Sequence, residues 1–115
     1  MISDSYSNFN HGLELFLDKL YTEKNLSKAT INSYKTDIKK FIIYLENNKQ
    51  NTLNCSYATI SKWIVFLNKS NYEDSSLIRK LSVIKQFFQF LVLENYRKDD
   101  PSLKIIIPKK KKISS

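Results

Sequence analysis

The hydrophobic residues of the chain recur with the period of an α-helix in four separate segments. In each segment they are three or four residues apart, which places them on one face of a helix. The four stripes are Leu13, Phe16, Leu17 and Leu20; Ile31, Tyr34, Ile38, Phe41, Ile42 and Leu45; Ile60, Trp63, Ile64 and Leu67; and Leu77, Leu81, Ile84, Phe88 and Leu91, the last widened by Phe87, Phe90 and Val92. Only one glycine and two prolines interrupt the chain. We therefore predict an all-α domain of four helices, each about 11 to 20 residues long.

Polar residues suggest where these helices begin. Ser27 and Thr59 stand just before the second and third stripes, and a hydroxyl at that place can accept a hydrogen bond from a free backbone amide of the first turn. We predict that they cap the second and third helices. The polar stretch 47–55 between them is predicted to be a loop.

The helical pattern stops after Tyr96, and Asp99, Asp100 and Pro101 follow. The residue before a proline is disfavoured in the helical conformation, so the fourth helix is predicted to end there. Residues 102–108 are rich in isoleucine and end in a second proline, so we expect an extended segment, followed by a basic run at 109–112. The predicted organisation is a domain over residues 1–98 and a linker from 99 to 115. Three consecutive isoleucines in a solvated linker would need a partner surface.

Composition limits the class of protein. A chain of 115 residues fits one domain, and no apolar run approaches the roughly 20 residues that cross a bilayer. One cysteine and one histidine cannot form an internal disulfide or a Cys/His zinc site. The N-terminus lacks the basic and apolar regions of a signal peptide. We expect a cytoplasmic protein without a membrane segment, metal or cofactor.

The net charge of +8 is concentrated in two regions, residues 24–51 and 95–115. Lysine and arginine release counterions when they bind phosphates, so clustered positive charge favours a polyanionic partner. A basic domain can also be merely soluble, and charge alone does not decide between these interpretations.

Two predicted helices carry continuous polar rows opposite their apolar stripes. The row of the second helix is Lys28, Asn32, Lys35 and Lys39, with Thr36 and Lys40 beside it; the row of the fourth is Ser75, Arg79, Ser82, Gln86 and Gln89, flanked by Ser76, Lys80 and Lys85. Hydroxyls, amides and a few cations suit a helix that lies in a DNA groove, because they reach phosphates and base edges. The alternative is the ordinary polar back of an amphipathic helix, and the pattern alone leaves both open.

At these rows the sequence resembles the core-binding domain of tyrosine recombinases. Residues 26–41, LSKATINSYKTDIKKF, are similar to the family pattern LS-x-x-T-x-x-x-Y-x-x-D-(L/I)-x-x-F. Residues 75–91, SSLIRKLSVIKQFFQFL, are similar to S-x-x-x-R-x-LS-x-(I/L)-(R/K)-x-F-(Y/F)-x-F-L. Asp99, Asp100, Pro101 and Ser102 resemble the exit toward a catalytic domain. The likeness runs from about residue 13 to 109 and is strongest to chromosomal Xer recombinases of the XerC/XerD type, with phage integrases next.

This resemblance implies a four-helix, SAM-like orthogonal bundle with an extended basic C-terminal linker, forming half of a clamp on duplex DNA. The second and fourth helices would face the major groove. Arg79 would be the leading candidate for a bidentate contact, whereas Tyr34 lies on the apolar stripe and is expected to pack. The predicted contact set is Ser27, Lys28, Thr30, Lys35, Lys39, Ser75, Ser76, Arg79, Lys80, Ser82, Lys85, Gln86, Lys109 and Lys110. The last two belong to the basic run, which would follow the DNA backbone or remain a solvated tail.

The catalytic groups of that family are not visible in this chain. Recombinases attack a phosphodiester with a tyrosine, supported by arginines, a lysine and His or Trp groups. His11, which we interpret as a surface or helix-start residue, is followed three positions later by Glu14 instead of the arginine of the family's H-x-x-R motif. Glu14 and Asp18 lie on one helix face, and we interpret them as a solvated acidic surface. Trp63 is interpreted as a core residue.

Three functions remain in view. The first is the DNA-binding part of a site-specific recombinase, inactive alone, serving chromosome dimer resolution, segregation or integration. Its partners would be double-stranded DNA and, in the full-length protein, recombinase subunits in a tetrameric synaptic complex, while the isolated domain would be monomeric. The second is a helical protein-interaction module that docks through residues 103–107. The third, an independent enzyme, is disfavoured by the missing catalytic set.

Overall fold

The computed structural model describes the backbone of residues 3–108 and the side chains of residues 12–108. Within this range the chain is all-α and contains no strand. The helices are α1 (Ser3–Glu23), α2 (Lys28–Asn47), α3 (Tyr57–Asn68) and α4 (Asp74–Leu93). The prediction of four helices is confirmed. His11 lies inside α1 instead of at its start, and its side chain falls outside the described residues.

The chain divides into two compact units, one within Met1–Thr36 and the other within Asp37–Ser115. The division falls inside α2, so this helix contributes its first half to the N-terminal unit and its second half to the C-terminal unit.

In the N-terminal unit, α1 buries the predicted apolar stripe. The buried residues are Leu13, Phe16, Leu17 and Leu20. Asn25 takes a left-handed conformation, with φ of 53°, in the turn that follows. Ser27 then caps α2 as predicted, because the backbone amide of Thr30 donates to its Oγ at 3.1 Å. This bond satisfies one of the free amides of the first turn.

The core of the C-terminal unit is built by the second half of α2 together with α3 and α4. Phe41 of α2 packs edge-on against Trp63 of α3 and Phe88 of α4, with ring centroids 4.7 and 5.9 Å apart. Ile38, Leu45, Ile60, Ile84 and Phe87 are fully buried around them. The interpretation of Trp63 as a core residue is confirmed. Val83, which the stripe of α4 omitted, is also fully buried, so the second half of α4 is covered on most sides.

The start of α3 differs from the prediction. The helix begins at Tyr57, so Ser56 occupies the N-cap position, and it makes no side-chain capping bond. Thr59 lies inside the helix and is buried, and its hydroxyl donates to Oε1 of Gln50 at 2.7 Å. The prediction of a Thr59 cap is therefore wrong, and its hydroxyl instead ties α3 to the loop after α2.

The end of α4 also differs from the prediction. The helix ends at Leu93, well before Pro101, because Asn95 takes the left-handed conformation with φ of 64°. The amides of Asn95 and Tyr96 donate back to the carbonyls of Val92 and Leu91, at 3.1 and 2.8 Å. This arrangement closes the helix without the proline.

Residues 97–108, which we call the strap, fold back onto the C-terminal unit. Residues 101–104 form a turn, closed by a hydrogen bond from the Ile105 amide to the Ser102 carbonyl at 3.0 Å. Ser102 is fully buried and Ile105 is 4% exposed. The expectation of an extended segment at 102–108 is therefore wrong for residues 102–104. The division between residues 98 and 99 stays a prediction, although the strap contributes to the core.

Candidate nucleic-acid interface

The polar row of α2 is exposed along most of its length. Lys28, Asn32 and Lys39 are exposed, as are the neighbouring Thr36 and Lys40, and Lys35 is half-buried. The residues of the row follow one another every three or four positions along a helix that runs from Lys28 to Asn47, so they share one face. No acidic residue belongs to this row.

Ser27 and Thr30, at the start of α2, are engaged with each other. The Ser27 hydroxyl donates to the Thr30 hydroxyl at 3.0 Å and also accepts the Thr30 amide. Ser27 is exposed and Thr30 is half-buried. The Ser27 side chain therefore caps the helix, and the Thr30 hydroxyl is its hydrogen-bond partner; contact of either residue with DNA stays a prediction.

The polar row of α4 is also solvent-accessible. Ser75 and Gln89 are exposed at its two ends, and the residues between them are half-buried. These are Ser76, Arg79, Ser82, Lys85 and Gln86. Lys80, by contrast, is a buried residue. Contacts between this row and DNA stay predictions for each residue.

Two cations of the predicted contact set converge on one buried carboxylate. Nε of Arg79 lies 2.7 Å from Oδ2 of Asp37, and its Nη2 lies 3.2 Å from Oδ1. Nζ of Lys80 lies 2.8 Å from the same Oδ1 and 4.6 Å from the ring centroid of Tyr72. The side chains of Asp37 and Lys80 are only 2% and 7% exposed, whereas that of Arg79 is 37% exposed. This ion cluster joins the second half of α2 to α4.

The ion cluster of Asp37, Arg79 and Lys80 was not predicted from the sequence, although the position of Asp37 points to a buried carboxylate. Asp37 lies on the apolar stripe of α2, three residues after Tyr34 and four before Phe41. A carboxylate at such a position is directed toward the core and needs a cation there, because an unpaired buried charge is costly. The signal calls for a partner but does not identify it, since Arg79 and Lys80 lie more than 40 residues away in the sequence.

Lys85 is the third cation of α4 with an internal role. Its ammonium donates to the backbone carbonyls of Ser102, Leu103 and Ile105, at 3.1, 3.3 and 3.0 Å. An ammonium has three N–H donors, so these three bonds match its full capacity. Lys85 therefore holds the strap against α4.

Arg97 holds the other end of the strap, and the sequence analysis assigned it no role. Its guanidinium donates to the carbonyls of Thr52 and Cys55, at 3.0 and 3.2 Å, and to Oδ1 of Asp99 at 3.2 Å. It also lies over the ring of Phe88, 5.6 Å from the centroid.

Burial raises the pKa of the Cys55 thiol, while the neighbouring Arg97 charge partly opposes this increase.

The strap and the polar row of α4 enclose a shared groove. Its volume is ≈ 430 Å³, and it is lined by Ser82, Lys85, Gln86 and Gln89 from α4 and by Asp100, Leu103 and Ile107 from the strap. The predicted contact residues Ser82, Lys85 and Gln86 of α4 therefore line one groove together with the strap, which was predicted to be a linker.

Three further expectations concern the basic run after residue 108, metal binding and membrane segments. Lys109 and Lys110, with the rest of the basic run, lie outside the described residues. Among residues 12–108, no group of three His, Cys, Asp or Glu side chains is placed to hold a metal ion. None of the helices described here combines the length and the apolar character that a membrane crossing requires.

The sequence was also compared with protein families and with known proteins. Residues 13–95 match the family described as phage integrase, N-terminal SAM-like domain. The chain is 43% identical over 94 residues to "Tyrosine recombinase XerD" of Rickettsia prowazekii, covering 82% of this chain and 30% of that protein. It is 34% identical over 97 residues to the protein of the same name from Vibrio cholerae, covering 84% of this chain and 32% of that protein. The chain thus spans about a third of the length of these relatives.

Proposed function

This chain belongs to the phage integrase N-terminal SAM-like domain family, and we propose that it is the DNA-binding part of a site-specific tyrosine recombinase. Because the chain spans about a third of its relatives, the recombinase activity is proposed for a longer protein that would contain it. That protein would cut and rejoin DNA strands in chromosome dimer resolution, segregation or integration. This part would supply affinity and some of the sequence specificity, and the chemistry would come from elsewhere.

The observation that carries this proposal is the pair of acid-free polar rows on α2 and α4. The row of α2 presents lysines to solvent, and the row of α4 presents hydroxyls and amides. Lysines attract the phosphate backbone, and short hydroxyl and amide side chains can donate to phosphates or read base edges. Two such rows on the helices that carry the family motifs favour a duplex DNA partner.

The proposal extends to assembly. The partners would be double-stranded DNA and, in the longer protein, recombinase subunits in a tetrameric synaptic complex. The chain alone would bind DNA as a monomer, which sedimentation of the free and DNA-bound protein would measure.

The test is a titration of a fluorescently labelled duplex with the 115-residue protein, followed by anisotropy. We expect weak binding whose affinity falls tenfold or more between about 50 and 200 mM salt, because each phosphate contact releases a counterion. A matched pair of variants locates the surface: Lys35→Gln on α2 should weaken binding, whereas Lys62→Gln, an exposed lysine of α3 outside both rows, should not. Absence of binding at low salt, or an affinity that does not depend on salt, would contradict the proposal.

A second candidate is a helical protein-interaction module. It is supported by Leu103 and Ile106 of the strap, which are 72% and 86% exposed. Ile105 between them is buried and cannot contribute to a docking strip. Apolar association survives high salt, so the two candidates separate in one experiment: pull-downs that persist in high salt, together with unchanged binding after alanine substitutions in the polar rows, favour the module.

A further inference from the structure

Six of the eight cations in the predicted contact set lie on helices, and the other two, Lys109 and Lys110, fall outside the described residues. The six form two groups, three on α2 and three on α4, which differ in what their charged ends contact. In the order of the chain they are Lys28, Lys35, Lys39, Arg79, Lys80 and Lys85. Among the described residues, the charged ends of the α4 group are hydrogen-bonded inside the fold, and those of the α2 group make no such bond. This difference bears on which helix supplies the electrostatic attraction to DNA.

Lys80 is held in place by the cost of leaving Asp37. Its side chain is 7% exposed, and its ammonium lies 2.8 Å from the carboxylate. Moving it to a phosphate would remove one partner from a buried anion, and breaking a buried pair in this way is strongly destabilising. Arg79 is less buried, but two of its nitrogens already donate to Asp37. The carboxylate also neutralises part of the positive charge of these two residues.

Lys85 is held in place by the strap. Its three hydrogen bonds end on backbone carbonyls, and one of them belongs to Ser102, which is fully buried. If the ammonium moved to a phosphate, the buried carbonyl of Ser102 would lose its donor, and an unsatisfied buried carbonyl is unfavourable. The ammonium of Lys85 is therefore committed to the fold.

The α2 lysines have no comparable commitment. Lys28 and Lys39 are exposed and Lys35 is half-buried. Among the described residues, no hydrogen bond or ion pair engages any of their three ammonium groups. At 100° per residue, Lys35 and Lys39 lie within about 20° of Lys28 around the helix axis and about 40° from each other, so the three share one face. Lysine side chains on one helix face suit phosphates, because each is flexible and its ammonium acts as a compact point charge.

We propose that Lys28, Lys35 and Lys39 of α2 supply the electrostatic attraction to the DNA backbone, while Arg79, Lys80 and Lys85 of α4 act inside the fold. In this arrangement α4 offers DNA uncharged hydroxyls and amides, and its cations position the helix and the strap. This division of roles rests on the proposed function, since it assigns residues within the same interface.

The test measures how the logarithm of the DNA affinity changes with the logarithm of the salt concentration. Replacing one lysine that contacts a phosphate lowers the magnitude of this slope by about 0.9. We expect that loss for each of Lys28→Gln, Lys35→Gln and Lys39→Gln. Lys80→Met and Lys85→Met should keep the slope of the Lys62→Gln control, although they lower the thermal stability.

A second measurement covers the case in which Lys80→Met or Lys85→Met does not fold. The side-chain ammonium signals of the unaltered protein can be followed by NMR during DNA addition. The Lys85 signal should stay in place, because its three carbonyl partners are retained, whereas the Lys35 signal should shift.

The outcomes distinguish this inference from the function on which it rests. A slope lost equally in Lys85→Met and Lys35→Gln, or a Lys85 signal that moves with DNA, would overturn the division of roles and leave DNA binding intact. An unaltered protein that shows no salt-dependent binding would overturn the proposed function, and the division of roles with it.

Discussion

At the scale of single residues, the buried carboxylate of Asp37 is a charge whose partners matter for the stability of the C-terminal unit. It accepts hydrogen bonds from Arg79 and Lys80, and the Lys80 side chain is nearly closed to solvent. A buried charge that loses its partner is strongly destabilising, because water cannot replace the lost interaction. Asp37 therefore contributes to the packing of the second half of α2 against α4.

We expect Asp37→Asn to lower the free energy of unfolding by about 3 kcal/mol, because the amide leaves the Lys80 ammonium without a counter-charge. The matched control is Glu46→Gln, the same chemical change at an exposed position of α2, which should stay within about 0.5 kcal/mol of the unaltered protein. Urea unfolding, followed by far-UV circular dichroism, measures both. Equal unfolding midpoints for the two variants would show that the ion cluster does not stabilise the fold.

The buried thiol of Cys55 gives a second residue-scale prediction. Burial raises its pKa above the ordinary value, so the folded protein keeps the proton that the unfolded chain releases as the pH rises. The thiol's contribution to stability should therefore fall above a pH of about 8.5, where the unfolded thiol ionises.

The measurement is the difference in unfolding free energy between the unaltered protein and Cys55→Ala, determined across the pH range. We expect this difference to be constant at neutral pH and to shrink in alkaline solution. A difference that stays flat far above the ordinary thiol pKa would mean that the folded and unfolded thiols ionise alike.

At the scale of elements, the strap behaves as part of the C-terminal unit although it has no regular secondary structure. Lys85 holds its turn through three carbonyls, and Arg97 ties its start to the loop after α2. Ile105, whose carbonyl is one of these three, is buried in the core. The strap therefore gains its order from side-chain contacts, since its own backbone bonds are few.

Two neighbouring isoleucines of the strap provide a matched comparison. Ile105 is 4% exposed and Ile106 is 86% exposed. Ile105→Ala should cost about 2–4 kcal/mol of unfolding free energy, because it leaves a cavity, whereas Ile106→Ala should change it by less than about 0.5 kcal/mol. Thermal and urea unfolding of both variants provide the measurement. A small effect of Ile105→Ala would mean that the strap leaves the core easily.

The elements also show what local sequence patterns can and cannot reveal. The periodicity of apolar residues correctly predicts four helices and most of their buried faces, because burial on one face imposes that period. It fails at the Thr59 cap and at the end of α4. There the outcome depends on a partner elsewhere, Gln50, and on the left-handed Asn95, neither of which changes the apolar period.

At the scale of the whole molecule, the contacts that no pattern predicts are polar and distant in sequence. Arg79 meets Asp37 across 42 residues, and Arg97 meets Thr52 across 45. Periodicity assigns each of these residues to a helix face or a loop, but it does not pair polar groups across the fold. The two polar rows of the candidate interface could therefore be predicted from the sequence. Which of their cations bind inside the fold and which face solvent could be determined only from the structure.

The net charge of +8 also needs this division to be interpreted. The three cations of α4 are ion-paired or hydrogen-bonded within the fold, so their charged groups are less available to a polyanion than the sequence suggests. The lysines on α2 belong to the part of the charge that remains available.

The packing of the strap has a practical consequence for anyone who prepares shortened versions of this protein. A fragment trimmed where the helical pattern fades, near residue 98, would lack Ser102 and Ile105 and would expose the hollow that they fill. Such a fragment should be prone to aggregation, and poor yields from it would say nothing about the DNA-binding surface.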